Sequence, residues 1–463
     1  MRMIRFRIQE KSMRNRIKYK GLILAALCAV SSIFMNKMDV SAAEYWPNGP
    51  DTESPCIVVI EQKTGTVLYE KNSHEQHYPA SITKIMTSML ALDQTNMDDV
   101  VTFSEDAIYK TEGSSIYRDV GEQMTMEECL YALMLASSND CAYAVAEHVS
   151  GSMEGFVGQM NEKAKELGCT DTHFANPHGL TDPEHYTTCY DMALIAREAY
   201  KSAKFRMIIG TARYTIPPTN KHDEETYLQN HNEMLYPFRS LGEYKYEYCT
   251  GGKTGYTQAA NSTLVTFAEK DGMTLICVIM NTVSPSQWKD SINLYNYCFD
   301  NFQILNVSDH EERFSDENKD VDSLNVNEPF AELDKEGVIV LPKTAEFSEA
   351  TPEISYENKE ENVIASLKYT FAGREVGEAN IITTGAKIES FLFRTNLSEN
   401  ETENSLSGGG KGFHINVVKV ILVIIGLLAF AALVYLIKVL ADNFYIIKHR
   451  LFGNRENKRR YRT

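Results

Sequence analysis

The chain has 463 residues, of which 43% are hydrophobic and 24% charged, and its formal net charge is −17. This length is enough for two or three domains, and the composition is ordinary for a globular protein. Basic residues are concentrated at the two ends, so the rest of the chain is strongly acidic. Such an acidic surface argues against nucleic acid as a partner.

The first 43 residues have the three parts of a secretory signal peptide. Basic residues between Arg2 and Lys20 precede an uncharged run over 21–36, and the small residues Ser41, Ala42 and Ala43 follow. A basic region, a short apolar core and a small-residue exit are typical of a cleaved signal. We therefore expect residues 1–43 to be a signal peptide, with an uncleaved N-terminal anchor as the alternative.

The segment 44–306 carries both strand and helix patterns. The apolar runs 56–60 and 67–69 flank a polar turn and predict a β-hairpin, and the runs 262–267 and 273–280 predict another. From Ser81 onward, apolar residues recur at helical spacing. The simplest assembly is an α+β domain in which helices flank an antiparallel sheet.

A second predicted helix, over 126–137, ends in the polar residues Ser137, Ser138, Asn139 and Asp140. Another helical pattern resumes at Cys141. The polar cluster is therefore expected at the break between two helices.

The C-terminal third of the chain divides into four predicted parts. We expect a small all-β domain over 307–398 because short β-like runs recur there, followed by a flexible linker over 399–414 rich in Asn, Glu, Ser and Gly. The apolar stretch 415–437 is long enough for a transmembrane helix if Lys419 snorkels. The basic tail 438–463 then predicts a cytosolic C-terminus.

The residues Ser81-Ile82-Thr83-Lys84 place a hydroxyl and an amine three residues apart at a helix start. Both side chains then project from one turn of the helix. A serine hydroxyl is a weak nucleophile until a neighbouring base takes its proton, and a lysine with a lowered pKa can do so. The helix N-terminus also supplies backbone N–H groups for a developing oxyanion.

Alone, S-x-x-K is a weak signal, but two further motifs follow it in order. They are Ser137-Ser138-Asn139 at the interhelical break and Lys253-Thr254-Gly255, which we place at the start of a strand. Together the three motifs are the set of class A β-lactamases and penicillin-binding proteins. The earlier Lys63-Thr64-Gly65 fills a hairpin turn, where Thr-Gly is ordinary turn chemistry.

With these motifs, the chain resembles the low-molecular-mass penicillin-binding proteins, the serine-type D-alanyl-D-alanine carboxypeptidases. The similarity covers about residues 50–305 and includes the stretches 174–180, 185–191 and 230–232. The trailing β-rich segment also resembles the second domain of that family. The resemblance implies a catalytic domain of the β-lactamase/DD-peptidase type.

The resemblance also implies a role for each motif residue. Ser81 would be the acylated nucleophile and Lys84 its general base, with Ser137 and Asn139 relaying protons and holding the substrate amide. Lys253 and Thr254 would bind the terminal carboxylate of the substrate, and Gly255 would let the strand approach it closely. The backbone N–H groups of Ser81 and Tyr256 would form the oxyanion hole. His178 would shape the pocket rim, or be an ordinary loop histidine.

The expected reaction removes the terminal D-alanine from peptidoglycan stem peptides, and penicillins and other β-lactams would acylate the same serine. The alternatives are a β-lactamase, a DD-endopeptidase, and a non-catalytic wall-binding or sensor protein. We find no E-x-x-L-N-like element between Asn139 and Lys253, which disfavours a class A β-lactamase.

No cofactor or metal is expected for this chemistry. His74 and His77 do not have H-E-x-x-H spacing, which disfavours a zinc site. The nine cysteines include no C-x-x-C pair and predict no particular disulfide, and Cys56, Cys141 and Cys277 fit small core residues. The expected location is the cell membrane, with a single span and an extracytoplasmic catalytic domain.

Overall fold

The structure is a computed structural model that describes residues 45–311 except 238, together with 331–356 and 362–383. The predicted signal peptide, linker, membrane helix and basic tail therefore lie outside the described residues. Within these ranges, no helix has the length and apolar character needed to cross a membrane.

The helices of the described part pack on the two faces of a central sheet. Most of them lie on one face and the helix Ser286–Asn301 covers the other, while the short helix Val307–His310 packs with a second, C-terminal sheet instead. They are α1 Lys84–Gln94, α2 Glu105–Tyr109, α3 Met126–Leu135, α4 Asn139–Ser150, α5 Met153–Glu166, α6 Cys189–Lys201, α7 Ala203–Gly210, α8 Ser286–Asn301 and α9 Val307–His310.

The central sheet has five antiparallel strands in the order β2-β1-β9-β8-β7. The predicted antiparallel sheet with flanking helices is confirmed. The strands of the catalytic segment are β1 Cys56–Glu61, β2 Val67–Lys71, β3 Val100–Thr102, β4 Gln123–Thr125, β5 Arg213–Ile216, β6 Thr226–Gln229, β7 Cys249–Thr257, β8 Asn261–Lys270 and β9 Met273–Thr282. Two small pairs, β3 with β4 and β5 with β6, complete this region.

Strand β1 shows how the sequence fixes the two faces of this sheet. Its residues are all buried, and they alternate between two apolar clusters because successive side chains of a strand point to opposite faces. Val58 and Ile60 join the helical cluster, while Ile57 and Val59 join the cluster beneath α8. A continuous apolar run is therefore required, since this strand meets no solvent on either face.

A second antiparallel sheet follows, with the order β10-β12-β15-β14-β13 and β11 paired to β15. Its strands are β10 Phe302–Asn306, β11 Ala331–Leu333, β12 Val338–Pro342, β13 Thr351–Ser355, β14 Val363–Phe371 and β15 Arg374–Thr383. The predicted domain boundary lies at 307, but this sheet begins earlier, at β10. That strand follows directly after α8 and pairs with β12. Phe302 and Val340 of this sheet share an apolar cluster with the central sheet.

A buried ion pair anchors the loop between α2 and β4. Arg118 Nη1 donates to Glu122 Oε1 over 2.9 Å, and the two side chains are 1% and 0% exposed. Arg118 Nη2 also donates to Thr226 Oγ1 of β6 at 2.5 Å. The pair therefore ties this loop to a strand more than a hundred residues away in sequence.

Replacing Arg118 with Met should lower the free energy of unfolding by about 3–5 kcal/mol, because it removes the guanidinium from the buried Glu122 carboxylate. The contacts of Glu122 with Thr219 and His222 remain. Chemical denaturation followed by circular dichroism would measure the loss. The control is Lys110→Met, which breaks the exposed pair Lys110–Asp106 and should leave the denaturation midpoint almost unchanged. Equal effects of the two substitutions would contradict this account.

Candidate active site

Ser81 lies in a 3-10 turn, Ala80–Thr83, that runs directly into α1. The turn begins after Pro79, whose carbonyl accepts a hydrogen bond from Thr263 Oγ1 of β8 over 2.9 Å. Ala80 adopts a left-handed φ of 51°. The prediction that Ser81 lies at a helix start is confirmed. The hydrogen bond from Thr263 ties the turn that contains Ser81 to the central sheet.

Lys84, the first residue of α1, is fully buried and has three partners. Its Nζ lies 3.1 Å from Ser81 Oγ, 2.7 Å from Asn139 Oδ1 and 2.5 Å from the carbonyl oxygen of His178. Burial, and secondarily the nearby Lys253, holds the pKa of Lys84 well below its ordinary range. The amine is therefore available in its neutral form.

The neutral form of Lys84 fits these partners without a conflict. The amide oxygen of Asn139 and the carbonyl of His178 can only accept, so they take both hydrogens of a neutral amine. Ser81 Oγ is the third partner, 3.1 Å from Nζ. In the neutral amine the lone pair of Nζ can accept the proton of this hydroxyl. This arrangement is the one a general base requires.

Ser137 and Asn139 form another side of the candidate site, at the junction of α3 and α4. Ser137 has a left-handed φ of 61°, which turns the chain between the helices. Asn139 begins α4, two residues before the predicted restart at Cys141. Its Nδ2 donates to the Glu112 carbonyl over 2.5 Å and its backbone N–H to the Ser114 carbonyl over 2.8 Å.

Lys253 lies within β7 rather than at its start, because the strand already begins at Cys249. Its Nζ donates to Ser137 Oγ over 3.1 Å and to the Thr254 carbonyl over 2.7 Å. Burial lowers the pKa of Lys253 to about 7. An ammonium here would keep one N–H free for an anionic ligand.

Gly255 brings β7 against the nucleophile turn. A Cβ at this position would lie 2.8 Å from the backbone nitrogen of Ser81 and 2.3 Å from Thr263 Oγ1. Only a residue without a side chain fits such a gap. The next residue, Tyr256, is 69% exposed, so its side chain points away from this contact.

These groups open onto a cleft of about 580 Å³. Five predicted residues contribute to its lining: Ser81, Ser137, Thr254, Gly255 and Tyr256. The buried Lys84 and Lys253 lie behind Ser81 and Ser137, to which they are hydrogen-bonded. The structure thus brings all eight predicted site residues into one place.

Several groups at the site were not assigned from the sequence. The main-chain carbonyls of Glu112 and His178 orient Asn139 and Lys84, and backbone groups leave no sequence signal. His231 lines the cleft, and burial followed by Lys253 lowers its pKa to about 4. The His178 ring instead accepts from Leu180 N within its own loop, which favours the loop-histidine interpretation.

The lowered pKa of Lys253 predicts a pH dependence of stability. The unfolded chain holds this proton up to its ordinary pKa of 10.5, whereas the folded chain releases it above about 7. Between these values the unfolded state binds more protons, so stability rises with pH and the contribution is lost as pH falls through 7. Lys84 acts in the same direction.

Thermal unfolding between pH 7 and 10.5 measures this contribution, with Lys253→Met as the variant that lacks the titrating group. As pH rises across this window, the melting temperature of the wild type should increase relative to that of the variant. A constant difference across the same range would contradict the lowered pKa.

Residues 43–284 match the family model described as D-alanyl-D-alanine carboxypeptidase, peptidase family S11. This match covers more than half of the chain, and the site lies inside it. The fold and the site define a serine peptidase of the penicillin-binding-protein class. The chain belongs to the D-alanyl-D-alanine carboxypeptidase family, and the family and enzyme class predicted from its sequence are confirmed.

Individual relatives agree with this assignment. The chain is 41% identical over 240 residues to D-alanyl-D-alanine carboxypeptidase DacF of Bacillus subtilis, covering 51% of this chain and 59% of that protein. It is 26% identical over 388 residues to DacC of Escherichia coli, covering 79% and 92% of the two chains. The crystal structure of penicillin-binding protein 5 from Haemophilus influenzae superposes with a TM-score of 0.58 at 26% identity, covering 73% and 98%.

Proposed function

We propose that this chain cleaves the terminal D-alanine from peptidoglycan stem peptides through an acyl-enzyme on Ser81. Ser81 Oγ attacks the carbonyl carbon of the D-Ala-D-Ala bond while its proton passes to Lys84 Nζ. The C–N bond then breaks, and D-alanine leaves as the amine after receiving a proton. Water hydrolyses the resulting ester and regenerates the serine. The printed names of the relatives support this reaction class.

The observation that carries the proposal is the 3.1 Å contact between Lys84 Nζ and Ser81 Oγ. The other two partners of this amine, Asn139 Oδ1 and the His178 carbonyl, are both acceptors. Ser137 would carry the proton onward to the leaving amine, because its hydroxyl faces the cleft and binds Lys253. Asn139 would hold Lys84 in place and contact the substrate amide.

Lys253 and Thr254 would bind the terminal carboxylate of the substrate, since an ammonium beside a hydroxyl suits an anion. The backbone N–H groups of Ser81 and Tyr256 would stabilise the oxyanion, and the close approach at Gly255 supports that geometry. β-Lactams would acylate Ser81 in the same way, because they present a strained amide beside a carboxylate. No cofactor or metal enters this reaction.

We also propose that residues 307–398, together with strand β10, form a β-rich domain and that 415–437 anchor the protein in the cell membrane. Under this proposal the signal segment 1–43 is removed, the catalytic domain faces outward and the tail 438–463 is cytosolic. The arrangement of charged and apolar runs supports it.

The test is release of D-alanine from a pentapeptide ending in D-Ala-D-Ala by the full-length chain in mild detergent. The wild type should release it, and a folded Ser81→Ala variant should not. Absence of release by a folded wild type would refute the proposal and leave a silent binding role. Release from cross-linked dimers alone would instead establish an endopeptidase, and rapid turnover of benzylpenicillin a β-lactamase.

A further inference from the structure

A second cluster of reactive side chains lies outside the proposed active site. It consists of Cys56 in β1 and of Glu75 and His77 in the loop that leads toward Ser81. One thiol, one carboxylate and one imidazole each direct a ligand atom into a common space, with all three atoms within 4.8 Å of one another.

The three atoms converge on one another as the ligands of a single ion do. Cys56 Sγ lies 3.1 Å from His77 Nε2, His77 Nε2 lies 3.3 Å from Glu75 Oε1, and Cys56 Sγ lies 3.9 Å from Glu75 Oε2. Zinc bonds of about 2.0–2.3 Å in a tetrahedron place neighbouring ligands about 3.3–3.7 Å apart. The three observed distances bracket this spacing, although the two to Glu75 end on different oxygens of its carboxylate. A small rotation of that carboxylate would place one oxygen beside Sγ and Nε2 around the ion.

We propose that Cys56, Glu75 and His77 form a binding site for a zinc-like divalent cation. Thiolate and imidazole are ligands that select zinc over magnesium or calcium. Three protein ligands leave the fourth tetrahedral position for water. The site also has an access route, because the thiol is buried, the imidazole half-buried and the carboxylate exposed.

The same residues do not form a Cys-His-Glu catalytic triad. In a triad the acid holds one ring nitrogen while the other takes the proton of the nucleophile. Here the thiol and the carboxylate both face Nε2 of His77. Convergence on one nitrogen is the geometry of shared coordination, not of a proton relay.

The site would connect the central sheet to the nucleophile turn. Cys56 lies at the start of β1, where it pairs with Met280 of β9. The backbone of His77 exchanges hydrogen bonds with Thr187, and the chain then passes through Pro79 to Ser81. A bound cation would therefore fix the segment that presents Ser81 without touching the substrate.

Sequence reasoning missed this site because it considered only the spacing of His74 and His77. Cys56 is 21 residues from His77 in the chain, and only folding brings the two side chains together. His74 takes no part, since its ring packs on Tyr190 with a centroid distance of 4.7 Å. It supplies a matched control within the same loop.

The test is titration of the chelator-treated, full-length chain with Co²⁺, followed by ultraviolet and visible absorption and by competition with Zn²⁺. The wild type should bind one Co²⁺ with a thiolate charge-transfer band, and Zn²⁺ should abolish the band. Glu75→Gln should weaken Co²⁺ binding at least about tenfold, and Cys56→Ala should lose the band. His74→Gln should behave as the wild type.

The proposal fails if the wild type shows no thiolate band. It also fails if a band of unchanged affinity persists in both Cys56→Ala and Glu75→Gln. Cys56 is buried, so Cys56→Ala carries a risk of misfolding. Glu75 is exposed, and Glu75→Gln alone then decides the outcome. None of these readouts depends on D-alanine release, so the two proposals can fail separately.

Discussion

Replacing Lys84 with Met or with Arg should lower the rate of Ser81 acylation by up to about 10⁴-fold. Met keeps the approximate volume of the buried side chain and removes the amine. Arg keeps a positive charge but cannot release its proton near neutral pH. The two variants thus separate loss of the base from loss of the charge. Stopped-flow measurement with a fluorescent penicillin gives the acylation rate directly.

The matched control is Lys63→Met, in the other Lys-Thr-Gly sequence of the chain. Lys63 is about half exposed in the turn between β1 and β2, and within the described part of the chain it forms a long ion pair with the exposed Glu336. Its replacement should leave the acylation rate unchanged. If Lys84→Arg retained a substantial fraction of the wild-type rate, Lys84 would act through its charge rather than as a base.

Replacing Gly255 with Ala should lower acylation by about 10²–10³-fold, the effect of losing one oxyanion-hole donor. The added methyl would lie 2.8 Å from Ser81 N and 2.3 Å from Thr263 Oγ1. These contacts are too short, so β7 must move away from the nucleophile turn. Under the proposed mechanism, the Tyr256 N–H would then leave the oxyanion hole. Acylation kinetics measure the loss, and circular dichroism checks that the fold persists.

Gly158→Ala is the control for this substitution. Gly158 lies inside α5, where a Cβ would meet nothing within 4 Å. Alanine favours helices more than glycine does, so this variant should be as stable as the wild type or more so, with unchanged acylation. Full activity of a folded Gly255→Ala would show that β7 does not set the oxyanion geometry.

Patterns that lie close together in the sequence predicted much of this fold. The hairpin of β1 and β2 followed from two apolar runs around a Gly-containing turn, and the helix after Ser81 from apolar spacing. The hairpin of β8 and β9 was predicted from the same kind of signal. In each case the hydrogen bonds are local and the buried face is continuous, so the sequence carries the information directly.

Element boundaries were less accurate where neighbouring structure decides them. Lys253 was expected at the start of a strand, yet β7 begins at Cys249 and includes Gly251 and Gly252, residues that disfavour strands. Pairing with β8 holds this glycine-containing segment in the sheet. Likewise α4 starts at Asn139 because its backbone N–H finds the Ser114 carbonyl, a contact across the loop.

Only part of the chemistry of the candidate site could be predicted from the sequence. The three motifs identified the side chains, but not the backbone groups of Glu112 and His178 that orient Asn139 and Lys84. Nor could they show that Lys84 and Lys253 are both buried, which is the main cause of their lowered pKa values. Burial and backbone contacts arise from the folded chain as a whole.

The proposed reaction requires Ser81 to be the group that becomes acylated. The direct measurement is peptide mapping by mass spectrometry after brief exposure of the full-length chain to benzylpenicillin, with Ser81→Ala and Ser137→Ala as companions. We expect a penicilloyl adduct on Ser81 in the wild type, a slower one on the same residue in Ser137→Ala, and none in Ser81→Ala. An adduct on another residue, or one that persists in Ser81→Ala, would contradict the proposed mechanism.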